Sequence, residues 1–248
     1  MTLEGKTALV TGGASGIGKA TVMELARCGA SVICADINAQ KGAELVKEAA
    51  QTNFAVEFIP VDVADPNSIQ LCAEKALHAY QRIDILVNAA GWNEIQPFVE
   101  NTPEYMNRVL AINLGGTLHF TRALLPPMIA AGKGKIINVS SDAGRVGSTG
   151  ETTYAAAKGG VIAFTKSLAR EVARYCINVN CVCPGPTDTP MLQSRPDKLK
   201  DAFLRAIPFR RFARPEEVAD AIAFFAGPGS NYITGQVLSV SGGLTLAG

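Results

Sequence analysis

The sequence predicts an α/β fold in which a seven-stranded parallel sheet is flanked by helices on both faces. Three observations carry that expectation. Short apolar runs alternate with helix-period stretches along the whole chain. Most runs are apolar throughout rather than alternating, as in strands covered on both sides. No linker, repeat or low-complexity stretch interrupts the series, so 1–248 reads as one domain.

Taken in order, strands are expected at 7–11, 31–35, 56–61, 83–88, 135–140, 178–183 and 236–240. Helices fill the gaps. Asp65-Pro66 and Thr102-Pro103 each place a capping side chain before a proline suited to the first helical position. A long helix is expected from Thr102, ended or kinked at Pro126-Pro127. Another is expected over 152–175, with Val161, Phe164, Leu168 and Val172 at helical spacing.

Composition narrows the function. The 248 residues are 48% hydrophobic and 18% charged, with a formal net charge of +1. That balance offers no electrostatic footprint for nucleic acid. No apolar run reaches the roughly 18 residues needed to span a membrane. Residues 1–6 lack the charged and apolar regions of a secretory signal, so a cytoplasmic address is expected. The six cysteines form no Cys-x-x-Cys, and Cys181-x-Cys183 is too tight for the usual zinc spacing; buried reduced thiols are expected. With only His78 and His119 present, no metal is expected.

Two constellations point to chemistry. Thr11-Gly12-Gly13-Ala14-Ser15-Gly16-Ile17-Gly18 follows the first strand and opens a helix, a setting for a diphosphate at a helix N-terminus. Asp36 ends the second strand, 18 residues beyond Gly18, where a carboxylate accepts hydrogen bonds from ribose hydroxyls. The same charge repels a 2′-phosphate, so NAD is expected over NADP; Asp36 as a helix N-cap is the alternative, and Lys19 and Lys41 are the nearby cations. At the other end, Tyr154 and Lys158 stand four apart on one helix face, with Ser141 just past the fifth strand. A phenol is a poor base at neutral pH, and a neighbouring ammonium stabilises its anion, which makes the pair a workable proton shuttle.

These residues resemble the short-chain dehydrogenase/reductase family over essentially the whole chain, which implies a Rossmann-type doubly wound fold and NAD-dependent interconversion of a secondary alcohol and a ketone. Thr11-Gly12-x-x-x-Gly16-x-Gly18 is similar to the family's cofactor turn, with Ser15 and Ile17 within it. Asp62-Val63 is similar to its adenine contact and Asn88-Ala89-Ala90-Gly91 to its fourth-strand motif, whose usual second Asn is Ala89 here. Ser141, Tyr154 and Lys158 match its catalytic triad and Asn113 its fourth member. The resemblance implies that Tyr154 exchanges the hydroxyl proton, Ser141 polarises the reacting oxygen, Lys158 lowers the tyrosine pKa and holds a ribose, and Asn113 holds a relay water. Pro184-Gly185-Pro186-Thr187-Asp188-Thr189 resembles the segment that holds the carboxamide, through the Thr187 backbone and the Thr189 hydroxyl. The family likeness also implies a homotetramer.

The substrate is expected at loops 92–98, 142–151 and 186–212, with Trp92, Arg145 and Ser148 as candidate contacts. Arg145 meets either an anionic or carbonyl group of the substrate or a partner carboxylate, Asp142 or Glu151; Trp92 forms an apolar wall or packs under its loop. From Arg195 to Arg214 the chain carries +5, which suits coenzyme A or carrier-protein phosphates or else a solvated, ion-paired face. Ala90-Gly91-Trp92, the stretch 141–148, the stretch 183–189 and the stretch 233–245 resemble one branch of the family, the 2-hydroxycyclohexanecarboxyl-CoA dehydrogenases. That branch implies a cyclic or short branched hydroxyacyl-CoA thioester. The alternatives are a 3-oxoacyl carrier-protein reductase, against which Asp36 speaks because such enzymes prefer NADP, a generic secondary-alcohol dehydrogenase, and a non-catalytic dinucleotide sensor.

Overall fold

In the computed structural model, which describes residues 2–246, seven parallel strands form one sheet. Met1 and the domain limits expected at 1 and 248 lie outside the described residues. The strands are β1 (Thr7–Thr11), β2 (Ser31–Asp36), β3 (Val56–Pro60), β4 (Ile85–Asn88), β5 (Gly134–Val139), β6 (Ile177–Pro184) and β7 (Val237–Val240). All seven expected runs are present, with ends moved by no more than two residues. The order across the sheet is β3-β2-β1-β4-β5-β6-β7. The winding therefore reverses between β1 and β4, paired from Ala8 with Ile85 to Thr11 with Asn88. Ligands of such sheets bind beyond the carboxyl ends of the strands at this reversal.

The helices are α1 (Gly16–Arg27), α2 (Ala39–Gln51), α3 (Pro66–Tyr80), α4 (Pro103–Leu110), α5 (Gly116–Ala131), α6 (Ala143–Val146), α7 (Thr152–Val172), α8 (Pro190–Gln193), α9 (Asp197–Ala206) and α10 (Pro215–Ala226). Successive strand residues point to opposite faces. Val10, Cys34 and Val87 pack with Leu25 of α1, Leu45 of α2 and Ile222 of α10 on one side. Leu9, Ile33 and Leu86 pack with Ile69 of α3, Phe120 of α5 and Leu168 of α7 on the other. Uninterrupted apolar strands follow from this two-sided burial. No helix among the described residues is long and apolar enough to cross a membrane.

Both legible helix starts form as the sequence implies. The Asp65 carboxylate accepts from the Asn67 amide at 2.9 Å, and Thr102 Oγ1 accepts from the Tyr105 amide at 3.2 Å. Of the expected end or kink at Pro126-Pro127, the end does not occur, because α5 runs through both prolines to Ala131. They forgo N–H bonds to the Arg122 and Ala123 carbonyls close to the end of the helix, where few ladder bonds remain to be lost. The interruption lies upstream. Ala111–Gly115 form a π-helical turn between α4 and α5, where Asn113 Nδ2 donates to the Val109 carbonyl four residues back and competes with the regular ladder.

Candidate active site

A cavity of about 740 Å³ runs along the carboxyl edge of the sheet, from Asp36 at one end to Tyr154, Lys158 and Arg195 at the other. That volume lies within the roughly 300–1,000 Å³ of small-molecule sites. At the first end, β1 delivers Thr11, whose Oγ1 accepts from the Ala89 and Ala90 amides at 3.1 and 3.2 Å. The glycine turn is thereby tied to the end of β4. Gly12 sits at φ +64°, and a Cβ there would lie 2.7 Å from Ala90 Cα, so only glycine permits the approach. Gly12, Ser15, Gly16, Ile17 and Gly18 line the cleft where α1 begins. Ser15 makes no side-chain cap, which leaves first-turn N–H groups for an anion.

Asp36 stands at the far wall with its carboxylate fixed. Oδ2 accepts from the Ala14 amide at 3.0 Å and Oδ1 from the Asn38 amide at 2.9 Å. The N-cap of α2 is Asn38, which removes the capping alternative for Asp36. Lys19 pairs with Glu48 at 2.6 Å. Asp62, Val63, Ala90 and Gly91 also line this half. The site accordingly fits an adenosine diphosphate moiety: open helix N–H groups, a glycine floor and an anchored carboxylate at the end of the second strand.

Asn88 does not line the cleft. It is buried beneath it, where Nδ2 donates to Asn138 Oδ1 at 2.9 Å and Thr121 Oγ1 at 3.2 Å. Asn138 in turn donates to Thr165 Oγ1 at 2.9 Å, so a polar ladder joins β4, β5 and α7. Within the fourth-strand motif, the Asn88 side chain thus supports the strand ends from beneath the cleft, and Ala90 and Gly91 are the members that line it.

At the second end, β5 delivers Ser141 and α7 delivers Tyr154 and Lys158, all lining the cleft. The approach of the two elements depends on Gly144, where a Cβ would lie 2.7 Å from the Gly159 nitrogen. Ser141 Oγ accepts from the Ala143 amide at 3.1 Å. Lys158 is 3% exposed, donates to the Val139 carbonyl at 2.9 Å, and lies 5.7 Å from the centroid of the Tyr154 ring. Burial pulls its pKa down to about 8, opposed by Cys181 and Cys183. Burial pushes the Tyr154 phenol above its usual range and Glu151 adds to the rise, while a hydrogen bond with Ser141 and the charge of Arg195 work the other way.

Asn113 is fully buried in the π turn. Its Nδ2 donates to the Trp92 and Val109 carbonyls at 2.7 and 2.9 Å, and its Oδ1 accepts from the Trp92 amide at 3.2 Å. Both donor hydrogens are spent. The side chain clamps the loop after β4 and has no donor hydrogen left for a relay water. On the carboxamide segment, Pro184, Gly185, Thr187 and Thr189 line the cleft, and Thr187 pairs with Ala213 at the base of the loop. Thr189 Oγ1 donates to the Thr187 carbonyl at 3.3 Å and accepts from the Leu192 amide at 3.4 Å.

Of the three substrate candidates, Trp92 and Ser148 line the cleft and Arg145 does not. The Arg145 guanidinium donates to Ser239 Oγ of β7 at 2.6 Å, and Ser239 donates to Asp142 Oδ1 at 2.6 Å. Arg145 is thus corrected from a substrate contact to a tie between the loop after β5 and the sheet edge. Trp92 is braced by the Arg108 guanidinium 4.0 Å above its ring and by Tyr105 at 5.7 Å. Three of the seven cations of the basic stretch are ion-paired: Arg211 and Arg214 share Glu217, and Lys200 pairs with Asp197. Arg195 alone of these seven lines the cleft, donating to the Asn93 carbonyl at 3.0 Å.

Asn93 was not singled out by any motif. It is 5% exposed, its Nδ2 donates to Glu151 Oε1 at 2.6 Å, and its Oδ1 accepts from the Tyr105 hydroxyl at 3.1 Å. The partners lie 58 and 102 residues away for Glu151 and Arg195, so no local spacing announces the network.

A family model described as enoyl-(acyl carrier protein) reductase matches residues 12–245. The 3-oxoacyl-[acyl-carrier-protein] reductase FabG of Thermotoga maritima is 44% identical over 99% of this chain and 100% of its own length. The protein of the same name from Escherichia coli is 37% identical over 98% and 99%. Nodulation protein G of a Rhizobium species is 38% identical over 98% of each. A solved structure titled as gox2181 superposes with a TM-score of 0.96 at 30% identity, covering 99% of this chain and 98% of that one. These relatives do not carry the CoA-dehydrogenase name that the branch resemblance implies. With sheet order, cleft and whole-length likeness in agreement, the chain is an oxidoreductase of the short-chain dehydrogenase/reductase family, whose members use a nicotinamide cofactor.

Proposed function

We propose that the chain is an NAD(H)-dependent 3-oxoacyl thioester reductase, reversible as a 3-hydroxyacyl thioester dehydrogenase. One observation carries the reading: a single cleft has an anchored Asp36 carboxylate at one end and Ser141, Tyr154 and Lys158 together at the other. The thioester class comes from the relatives, whose printed names specify 3-oxoacyl groups on a carrier protein. A 2-hydroxycyclohexanecarboxyl thioester is itself a 3-hydroxyacyl thioester, so the cyclic substrate is a special case distinguished by acyl shape alone.

In this reading Gly12, Ser15, Gly16, Ile17 and Gly18 hold the diphosphate, Asp36 the adenosine ribose, Asp62 and Val63 the adenine, and Ala90 and Gly91 the central turn. Tyr154, Lys158, Pro184, Gly185, Thr187 and Thr189 hold the nicotinamide end. When bound, the nicotinamide supplies or accepts the hydride. Tyr154 gives a proton to the carbonyl oxygen in reduction and takes it back in oxidation. Ser141 donates to the same oxygen, its own Oγ oriented by the Ala143 amide. Lys158, charged below about pH 8, stabilises negative charge on Tyr154 and presents N–H groups to a ribose. Asn113 and Trp92 keep the loop after β4 in place.

The apolar groove between α5 and α7, lined by Leu118, Leu125, Ile129 and Phe164, suits helix packing between subunits of a homotetramer. Six unpaired cysteines, five of them buried, suit a reducing cytoplasm. The test is kcat/KM with NADH and with NADPH for 3-oxoacyl groups on carrier protein, on coenzyme A and on N-acetylcysteamine, beside 2-oxocyclohexanecarboxyl-CoA and a simple ketone. The expected result is NADH-dependent turnover of the thioesters well above the ketone. Preference for NADPH, or a ketone as good as every thioester, overturns it.

A further inference from the structure

The cleft holds two charged side chains that the proposed chemistry leaves unused. Glu151 immediately precedes α7, three residues before Tyr154, and Arg195 lies in the segment between α8 and α9. Both line the cleft with Tyr154, and both are fixed by the same residue: Asn93 Nδ2 donates to Glu151 Oε1 at 2.6 Å, and the Asn93 carbonyl accepts from Arg195 at 3.0 Å. Asn93 is itself buried and held by the Tyr105 hydroxyl, whose single hydrogen is shared between Asn93 Oδ1 at 3.1 Å and the Glu94 carbonyl at 2.7 Å. Two long, flexible side chains are thus given set positions by one residue, Glu151 by its side-chain amide and Arg195 by its main-chain carbonyl. Glu151 makes no salt bridge among the described residues, so its charge is not cancelled at contact distance.

We propose that Glu151 and Arg195 are opposed positioning charges, held beside Tyr154 by Asn93, that set the pH at which the tyrosine changes from proton donor to proton acceptor. The inference rests on the reading of Tyr154 as the proton-exchanging group. A carboxylate near the phenol disfavours the phenolate and keeps the residue a donor, which favours carbonyl reduction at neutral pH; a guanidinium does the reverse. The other groups facing Tyr154 are Lys158 from its own helix, Ser141 from the loop after β5 and Cys183 from β6. Burial is the largest influence on the phenol, Glu151 the next, and Arg195 opposes it.

The experiment compares wild type with Glu151→Gln, Glu151→Asp and Arg195→Gln. Glutamine is isosteric and still accepts from Asn93, so the frame survives the loss of charge. The first readout is the pH dependence of kcat/KM for oxidation of a 3-hydroxybutyryl N-acetylcysteamine thioester. The second needs neither substrate nor cofactor: the ultraviolet difference titration of the Tyr154 phenolate, referenced to Tyr154→Phe in each background. Glu151→Gln is expected to move the rising limb to lower pH and speed oxidation at neutral pH about three- to tenfold. Arg195→Gln is expected to move the limb to higher pH, and Glu151→Asp to leave it near wild type. Limbs that do not move, or that move the same way in both charge-removing variants, overturn the inference. An active Tyr154→Phe enzyme overturns the proposed function itself, whereas an inactive one with an unmoved Glu151→Gln titration overturns only the role of the pair.

Discussion

The two halves of the cleft are built by different means. The half that contains Gly12 and Asp36 is made from backbone: a glycine turn, open N–H groups at the start of α1, and a carboxylate fixed by two backbone amides, Ala14 of the glycine turn and Asn38 just past β2. The half that contains Tyr154 is made from side chains that meet across the chain, with Asn93 joined to Glu151 and Arg195, and Asp142 joined through Ser239 to Arg145. Backbone geometry suits a ligand common to many enzymes, because it needs no particular side chain. Long-range side-chain frames suit a varied ligand, because one substitution re-aims them without altering the fold.

The largest effect expected in either half is on proton transfer. Tyr154→Phe removes the exchanging proton and leaves the glycine turn and Asp36 untouched. Turnover should fall by more than about a hundredfold, the least that general acid–base catalysis commonly supplies, while NADH binding followed by fluorescence changes little. A loss of binding equal to the loss of turnover would show that the two halves are not separable. Lys158→Met should also abolish turnover, yet stabilise the fold. A lysine held at about pKa 8 instead of 10.5 costs about 3 kcal/mol while it stays protonated. Because the folded-state pKa is the lower one, that cost is fully present below about pH 8 and fades as pH rises from there toward 10.5. Denaturation should therefore show the variant more stable at pH 7, with the gain shrinking in alkali. A variant less stable at pH 7 would mean that the bond to the Val139 carbonyl outweighs desolvation.

What could be read from the sequence divides along the same line. The glycine turn, Asp36 and the Tyr154–Lys158 pair are local spacings on single elements, and strand and helix periods place them. Asn113 was legible as a motif member but not as a clamp, since its partner Trp92 is 21 residues away and is met only through the π turn. Asn88 is legible as a motif member, but its place in a buried ladder beneath the cleft follows only from the pairing of β4 with β5. Pro126-Pro127 do not end α5, because the two N–H bonds they forgo lie in its later half and the helix continues for four more residues to Ala131. Asn93 left no signal at all: a single asparagine in a loop acquires meaning only when three distant segments converge on it.

A smaller effect should follow from Asp36→Ala, which tests whether the backbone-built half has any side chain that discriminates. The ratio of kcat/KM for NADH over NADPH should drop by about ten- to a hundredfold, the worth of one or two hydrogen bonds to a charged group. Asp36→Asn keeps an acceptor for the Ala14 or Asn38 amide while removing the charge, so it separates loop anchoring from repulsion of a 2′-phosphate. If the asparagine variant keeps full preference for NADH, repulsion is not the cause. An unchanged ratio in both variants would leave cofactor choice to backbone geometry alone.

The smallest effect on catalysis is expected from Arg145, although its place four residues after Ser141 made it a candidate for substrate recognition. Its guanidinium reaches Ser239 on β7 and, through that hydroxyl, the buried Asp142, so its charge is committed to the scaffold and not to the cleft. Arg145→Met should change KM for a 3-oxoacyl thioester less than about threefold, while lowering stability by about 1–3 kcal/mol through the buried carboxylate it helps to satisfy. Adding Ser239→Ala should cost little more, because both substitutions break one chain of bonds and such losses do not add. A large rise in KM without loss of stability would place Arg145 in substrate binding after all, and would make the half built from side chains wider than the cleft now shows.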